Sequence, residues 1–372
     1  MNICFLIRYL GIGGAEKQLI ELAKGLRAKG HEITVLVYRE GGQLEQCLSD
    51  TGISLVILEK RGKSLLRFLF ALIREIRILS PDILHSYLHL SNCLAISAKP
   101  FINKKTKIVC GIRSAYIDIK QYGWQDRLIY TVASFLSRFA DLVIYNSYAA
   151  RTYASSRGFS DTKAIVIHNG FDTSLFYPDS VARDTIRKEW NVLPKECLIG
   201  LIGRFDYMKD HSTFLRAAAL VQQVRAYVKF ICIGHGNPDY LASLNRLIHS
   251  FGLNSQVLLI PPRNDMRAVY NGIDVLCSSS LGESLSNVIG EAMACGKLCV
   301  VTDVGDSAYL VGQTGVVVPP SDPDALANGL LEVMSKLDSH HSRQAMDRIC
   351  SKFSLTKLID MTEKKLYSLL EK

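Results

Sequence analysis

Short apolar runs rich in valine and isoleucine alternate along the chain with longer segments whose apolar residues recur at helical spacing. Such runs read as strands buried on both faces and the longer segments as amphipathic helices, the pattern of β-α-β units around a parallel sheet. In the first half the runs place strands near 2–8, 32–38, 54–58, 82–85, 107–112, 141–145 and 164–168. A turn-rich stretch follows, His168-Asn169-Gly170-Phe171-Asp172 and then Pro178-Asp179. The pattern then restarts, with strands near 197–203, 227–233, 256–260, 273–277, 298–302 and 315–318. This predicts two doubly wound α/β domains, residues 1–175 and 176–353, hinged near residue 175. After Val318-Pro319-Pro320 the pattern turns helical, with Leu326, Leu330, Val333 and Met334 on one face, and residues 354–372 are expected to cross back as a helix to the first domain. Doubly wound sheets bind ligands at the carboxyl ends of their strands, so the two domains are expected to form one cleft between them.

Composition narrows this picture. The 372 residues are 48% hydrophobic and 21% charged, enough apolar matter for two cores and too much for disorder. The net charge of +9 is unevenly placed: Lys and Arg outnumber Asp and Glu 23 to 14 over residues 1–175, and balance at 21 each over 176–372. One basic half argues against a uniform nucleic-acid coat, so no nucleic acid is expected, and argues for an anionic partner, phosphate or membrane, at the first domain. The ten cysteines include no C-x-x-C pair and mostly lie in apolar runs, which reads as free core thiols in a reducing compartment. Met1 leads straight into a strand pattern without a secretion signal, and the longest apolar segment, Leu65 to Leu79, is broken by Arg67, Arg74, Glu75 and Arg77. A cytoplasmic protein is expected, soluble or peripheral on the inner face of the cytoplasmic membrane.

Two loops carry the candidate chemistry. Gly282-Glu283-Ser284-Leu285-Ser286-Asn287-Val288-Ile289-Gly290-Glu291 follows a buried strand and the polar turn Ser278-Ser279-Ser280. Glu283 falls in a loop and Glu291 in the helix after it. Two carboxylates beside a helix N-terminus suit a ligand bearing hydroxyls and phosphates, while dipole-compensating glutamates remain the plain alternative. Gly203-Arg204-Phe205-Asp206-Tyr207-Met208-Lys209 follows the strand 197–203. Its guanidinium and ammonium could hold a diphosphate from two directions, or simply be a solvated basic loop.

Taken in order, these pieces resemble the retaining glycosyltransferases of family 4, which have the GT-B fold of two Rossmann-like domains. Gly203-Arg204 with Lys209, Gly234-His235-Gly236, the Glu-x7-Glu pair of Glu283 and Glu291, and Thr302-Asp303-Val304-Gly305 carry the likeness, with Gly13-Gly14-Ala15-Glu16 and Asn169-Gly170-Phe171-Asp172. The run 282–305 looks especially like the branch of bacterial O-antigen and capsule assembly. The resemblance implies a nucleotide-sugar substrate, a UDP-sugar foremost, with no cofactor and no metal. Arg204 and Lys209 would grip its diphosphate, the backbone at Ser286, Asn287 and Val288 would add donors, Glu291 would bind the ribose and Glu283 the transferred sugar. Gly203 and Gly234 would line the donor, and Arg263 would lie beside the base.

In the first domain, Gly11-Ile12-Gly13-Gly14 lacks the G-x-G-x-x-G spacing of a dinucleotide fingerprint. The resemblance makes Gly13 and Gly14 the approach to donor phosphates, and Gly14 and Glu16 part of the acceptor site; a ligand-free tight turn is the alternative. Many family members carry a histidine where Arg113 appears here, so Arg113 is expected as an active-site residue without a general-base role, with Tyr116 beside it. That leaves internal return, in which the departing phosphate takes the acceptor's proton, as the working mechanism. Asp322-Pro323-Asp324 reads as a helix cap rather than a metal motif, and His85 and His89 lack a third ligand.

The acceptor implied is a glycan or polyprenyl-diphosphate-linked glycan. Lys63, Arg67, Arg74 and Arg77 form a basic stripe on a broadly apolar helix, and Lys104, Lys105 and Lys107 follow nearby. A core helix with a solvated edge and a helix resting that edge on anionic lipid are both open. The expected function is retaining sugar transfer in surface polysaccharide synthesis. Synthesis of a soluble glycoside, and a non-catalytic sugar-nucleotide or membrane scaffold, stand as alternatives.

Overall fold

A computed structural model describes residues 1–58, 65–115 and 123–371, and of Leu65 and Leu66 the backbone alone. Lys63 and Tyr116, expected at the membrane and the acceptor, lie outside the described residues. The chain forms two compact units, Met1–Gly170 with Leu355–Lys372, and Phe171–Ser354. The first division falls five residues before the hinge read from the sequence.

The first unit contains β1 (Asn2–Ile7), α1 (Gly14–Ala28), β2 (Glu32–Val37), β3 (Ser54–Ile57), α2 (Leu65–Leu79), β4 (Ile83–Tyr87), α3 (His89–Ala98), β5 (Lys107–Ile112), α4 (Trp124–Leu136), β6 (Leu142–Tyr145), α5 (Tyr148–Ser156) and β7 (Ala164–Val166). Its seven-stranded sheet is parallel, in the order β3-β2-β1-β4-β5-β6-β7. Along β1 the two faces alternate: Cys4 and Leu6 join a core with α2, α3 and α4, while Ile3, Phe5 and Ile7 join another with α1. Burial on both faces is why these strands read as unbroken apolar runs.

The last helix, α14 (Leu355–Leu370), packs on α1 in this unit. The approach is close enough that a Cβ at Gly25 would overlap Ile359. Polar pairs fix its register: Lys29 Nζ lies 2.6 Å from Asp360 and also bonds Glu363, and His31 Nε2 lies 2.8 Å from Glu363.

The second unit contains α6 (Ser180–Glu189), β8 (Cys197–Ile202), α7 (His211–Val224), β9 (Val228–Ile233), α8 (Pro238–Ser250), β10 (Val257–Ile260), α9 (Met266–Gly272), β11 (Val275–Ser278), α10 (Asn287–Ala294), β12 (Leu298–Thr302), α11 (Ser307–Val311), β13 (Val316–Val318), α12 (Pro323–Met334) and α13 (Ser339–Lys352). Its parallel sheet runs β10-β9-β8-β11-β12-β13. Both sheets are therefore of the Rossmann-like, doubly wound class read from the sequence. In each, strand order reverses beside the first strand, between β1 and β4 and between β8 and β11, and ligands favour the carboxyl ends at such reversals. Asp322 accepts from Ala325 N at 2.9 Å with Pro323 in the first turn, so this aspartate caps α12.

On α2 the core reading accounts for the apolar width: Phe68, Leu72, Ile73 and Ile76 are buried, whereas Arg67, Arg74 and Arg77 are exposed together with Phe70 and Ile78. No helix among the described residues is long and apolar enough to cross a membrane. The cysteines are all free, and only Cys47 and Cys350 are exposed.

The bond to Lys29 holds the Glu363 carboxyl below its ordinary range. A lowered folded-state value means the pair stabilises fully above the ordinary glutamate pKa of about 4.3, and this is lost as pH falls from there through the lowered folded-state value. Glu363→Gln is expected to cost about 0.5 to 1 kcal/mol at neutral pH and progressively less as the solution is acidified below the ordinary glutamate range, read as the difference in urea midpoints along the pH series.

Candidate functional site

At the reversal in the second unit, three strand-end loops are bound to one another. The loop after β8 contains a short turn, Tyr207–Lys209, opened by Asp206 accepting from Met208 N at 3.1 Å. Asp210 then adopts a left-handed φ of 44° and caps α7 through Thr213 N. Ser279, just after β11, donates to the carbonyls of Lys209 at 2.8 Å and Asp210 at 3.1 Å, and Leu281 N donates to Met208 O at 2.8 Å. From the end of β12, Thr302 Oγ1 donates to Ser280 O at 2.6 Å. Gly305, at φ 59°, leaves room for the Glu283 carbonyl that a Cβ would strike, and Asp306 N bonds Ser284 O at 2.9 Å.

The loop after β9 supports this arrangement. A Cβ at Gly234 would collide with the Gly203 carbonyl, and one at Gly236 with the Phe205 carbonyl. Phe205 N donates to His235 O at 2.6 Å across the same approach. Both glycines thus have a packing reason to be glycine, separate from the donor contact expected of Gly234.

The functional side chains gather on that scaffold. Lys209 lays its stem over Gly203 and bonds its ammonium to Glu283, whose Oε1 also accepts from Ser280 Oγ at 2.9 Å. Both members of the pair are mostly buried. Lys209, Ser278, Ser279, Ser280, Ser286 and Val288 line a cavity of about 10 Å³, room for one water. The α10 helix starts here, and Ser286 makes no side-chain capping bond, unlike the aspartates that cap α6, α7, α12 and α13. Ser286 and Val288, at its N-terminal end, share that small cavity with Lys209, so the positive end of the helix lies near the ammonium.

Other expected residues are engaged differently. Arg204 is exposed and pairs with Asp206 at 3.0 Å. Arg263 is bidentate to Asp265, with both bonds at 2.7 Å, and also bonds Glu189. Those hydrogen bonds push its pKa further up. Glu291 is buried and accepts from Tyr270 Oη at 2.7 Å. Burial, then the Glu291 charge, pushes the Tyr270 phenol well up, so it remains a donor. His211 sits edge-on to Phe205, and burial beside the Lys209 charge pushes it down to about 4, leaving it neutral at pH 7.

In the first unit, Gly13 and Gly14 open α1, and the Glu16 carboxylate folds back over Gly13. Burial raises the Glu16 pKa. Arg113, just past β5, donates to Tyr87 Oη at 2.8 Å and Asn169 Oδ1 at 3.3 Å, with its guanidinium 4.7 Å from the Tyr87 ring centroid. Nearby His85 is fully buried and held down to about 3, first by burial and then by the Arg113 charge. His89 packs on Tyr130 and Phe159, and burial pushes it down to about 4. No metal-binding group of three or more His, Cys, Asp or Glu occurs among the described residues.

The structure thus brings together Lys209, Glu283, Ser286 and Val288, with Gly203 beneath the lysine. It adds Ser279 and Thr302, which the sequence reading named without giving them a role, and Tyr270, which it missed. The polar Ser278-Ser279-Ser280 turn after an apolar strand was a usable signal; Tyr270, in the short helix α9, offered none.

Residues 12–175 match the family described as Glycosyltransferase Family 4, and residues 196–336 match Glycosyl transferases group 1. The two matches lie one on each half of the chain, and its fold is GT-B. D-inositol 3-phosphate glycosyltransferase of Mycolicibacterium gilvum is 29% identical over 226 residues, 59% of this chain and 50% of that protein. The Mycobacterium ulcerans enzyme of the same name is 30% identical over 199 residues, 51% of this chain and 42% of that protein. The chain spans about half the length of the relatives it matches. Among solved structures, Anabaena HepE in complex with UDP superposes with a TM-score of 0.87 at 23% identity, over 99% of this chain and 100% of that one. WaaG, a glycosyltransferase involved in lipopolysaccharide biosynthesis, gives 0.73 at 14% identity over 99% of both.

Gly305→Ala would place a Cβ in a left-handed conformation against the Glu283 carbonyl. It is expected to destabilise the second unit by about 1 to 3 kcal/mol, measured as a lowered urea midpoint.

Proposed function

We propose that this chain, built from a family 4 glycosyltransferase domain and a group 1 glycosyl transferase domain, moves a sugar from a nucleotide-sugar donor to an acceptor held by its basic first domain. The observation that carries this reading is the Lys209–Glu283 pair beside the start of α10 at the β8/β11 reversal. An ammonium has three donors, so Lys209 keeps Glu283 in place with one and offers others to phosphate oxygens. Arg204 approaches the same diphosphate from its exposed position, and the α10 N-terminus adds backbone donors. Negative charge grows on the leaving diphosphate as the glycosidic bond breaks, and these groups stabilise it most at that point. Glu283 binds hydroxyls of the transferred sugar, and Glu291, steadied by Tyr270, binds the ribose.

Arg113 does not act as a base, since a guanidinium keeps its proton; it binds an anionic part of the acceptor. The reaction retains configuration by internal return, with the departing phosphate taking the acceptor's proton. A UDP-sugar is the preferred donor, supported by HepE, whose structures hold UDP, UDP with glucose, and UDP-glucose. The acceptor is a glycan or lipid-linked glycan of a surface polysaccharide, a reading favoured by the likeness to WaaG and to the lipopolysaccharide outer core galactosyltransferase WaaB. A second reading, synthesis of a soluble glycoside, is favoured by the inositol phosphate glycosyltransferase relatives.

UDP-glucose is expected to raise the melting temperature more than GDP-, ADP- or dTDP-glucose, with or without a chelator. Lys209→Ala should weaken UDP affinity by about 10- to 100-fold. Glu283→Gln should keep UDP affinity but lower transfer by about 100-fold or more. The reading fails if no nucleotide-sugar shifts the melting temperature and Glu283→Gln transfers as well as the wild type.

A further inference from the structure

We infer that the outer face of the α2–α3–α4 layer in the first unit is a membrane-docking surface, with the apolar stripe of α4 inserted among the lipids and the surrounding cations on anionic headgroups. The biological purpose of this surface rests on the proposed lipid-linked acceptor; the surface itself rests on the geometry of this layer. Trp124, Leu128, Val132 and Phe135 on α4, and Phe139 in the turn after it, are all exposed large apolar residues. At helical spacing the four on α4 fall within an arc of about 80°. The opposite side of α4 is already used, with Tyr130 and Ala133 buried and the helix packed on α3. Apolar residues scattered singly over a surface need no explanation, but a continuous stripe headed by a tryptophan that is 72% exposed does.

The charges around the stripe point to lipid. Arg127 and Arg138 lie along one edge of it, and the Arg138 guanidinium sits 4.3 Å from the Phe135 ring centroid. A cation over an aromatic ring at the rim of an apolar strip keeps its head at the polar boundary while the ring goes deeper. The surface continues beyond α4 through two backbone contacts. Lys99 Nζ donates to Phe139 O at 3.0 Å, and Arg77 Nε donates to Phe101 O at 2.6 Å. Phe101 is exposed, and past it α2 shows Phe70 and Ile78 among its three arginines, with exposed Lys104 and Lys105 close in sequence. Asp141, an acid bordering this layer, is held by Lys99 at 2.7 Å. Tryptophan and phenylalanine on an amphipathic helix with a basic border match the interface of an anionic bilayer. The broad apolar face of α2 is spent on the core, as both readings of that helix required, and α4 supplies the inserting face.

The chain has two tryptophans, and Trp190 is buried in the second unit, so a change in emission reports Trp124. The full-length protein is titrated with vesicles of equal parts phosphatidylglycerol and phosphatidylcholine, with vesicles of phosphatidylcholine alone, and with phosphatidylglycerol vesicles whose acyl chains are brominated. Expected are a blue shift, quenching by the bromines, and co-sedimentation that weakens at least about tenfold without phosphatidylglycerol or at high salt. Leu128→Asp with Phe135→Asp, both at exposed positions, should weaken binding at least about tenfold and leave the UDP-glucose melting shift unchanged. Unshifted emission with no co-sedimentation overturns the inference, as does a variant that binds like the wild type. A blue shift that grows with protein concentration without lipid, together with a doubled mass, would assign the face to a second copy of the chain. Vesicle binding without any nucleotide-sugar shift would leave this surface standing and remove the donor reading.

Discussion

Much of the second unit depends on a backbone approach that tolerates no side chain. The loop after β9 lies against the Gly203 and Phe205 carbonyls only because residues 234 and 236 are glycine, and the loop after β12 lies against Glu283 only because residue 305 is. These approaches fix where the loops after β8 and β11 can run. Ser279, Thr302 and the Leu281 amide then join them through backbone carbonyl groups near the ends of the strands. The Lys209–Glu283 pair is a consequence of that framework. A mostly buried ion pair gains little stability by itself, since desolvation offsets much of the attraction. Its value lies in holding a cation and a carboxylate ready at the strand ends, with Ser280 taking up a further lone pair of Glu283.

The two reversals are built from the same elements with different chemistry. In both, the first strand runs through a glycine-containing loop into a helix. At β1 the carboxylate of Glu16 folds over the glycine that opens α1, whereas at β8 the stem of Lys209 crosses Gly203. One loop therefore carries an acid whose charged form is disfavoured by burial, and the other a cation. The Tyr87–Arg113–Asn169 group adds a cation to the first unit, fixed on one face by an aromatic ring and on its edges by a hydroxyl and an amide. A fixed guanidinium of this kind is suited to an anion and not to moving protons.

The strands were legible because burial on both faces of a parallel sheet leaves no polar alternation to interrupt them. The two carboxylates and the lysine were legible from their positions relative to those strands. Three things were not. A glycine required by a passing carbonyl, as at Gly234, has the same letter as one required by a ligand. Arg263 was expected beside the base, and its pairing was hidden because one of its partners, Glu189, is remote in sequence, although Asp265 is only two residues away. Tyr270 sits among apolar residues, and nothing local signals that its hydroxyl meets the carboxylate of Glu291.

The apolar stripe of α4 illustrates the deepest limit. Helical spacing says that Trp124, Leu128, Val132 and Phe135 share a face, yet it assigns that face to the core by default. Which face is inward is settled by neighbours: α4 buries Tyr130 and Ala133 against α3, and the larger residues are left outside. On α2 the same rule works in reverse, since its widest apolar face is inward and its arginines are outward. The basic surplus of residues 1–175 is thus not spread over a neutral shell. Part of it borders exposed aromatic residues on one helix layer, and such a combination suits an anionic surface, because charge acts from a distance and aromatic residues add the short-range contact that charge alone lacks.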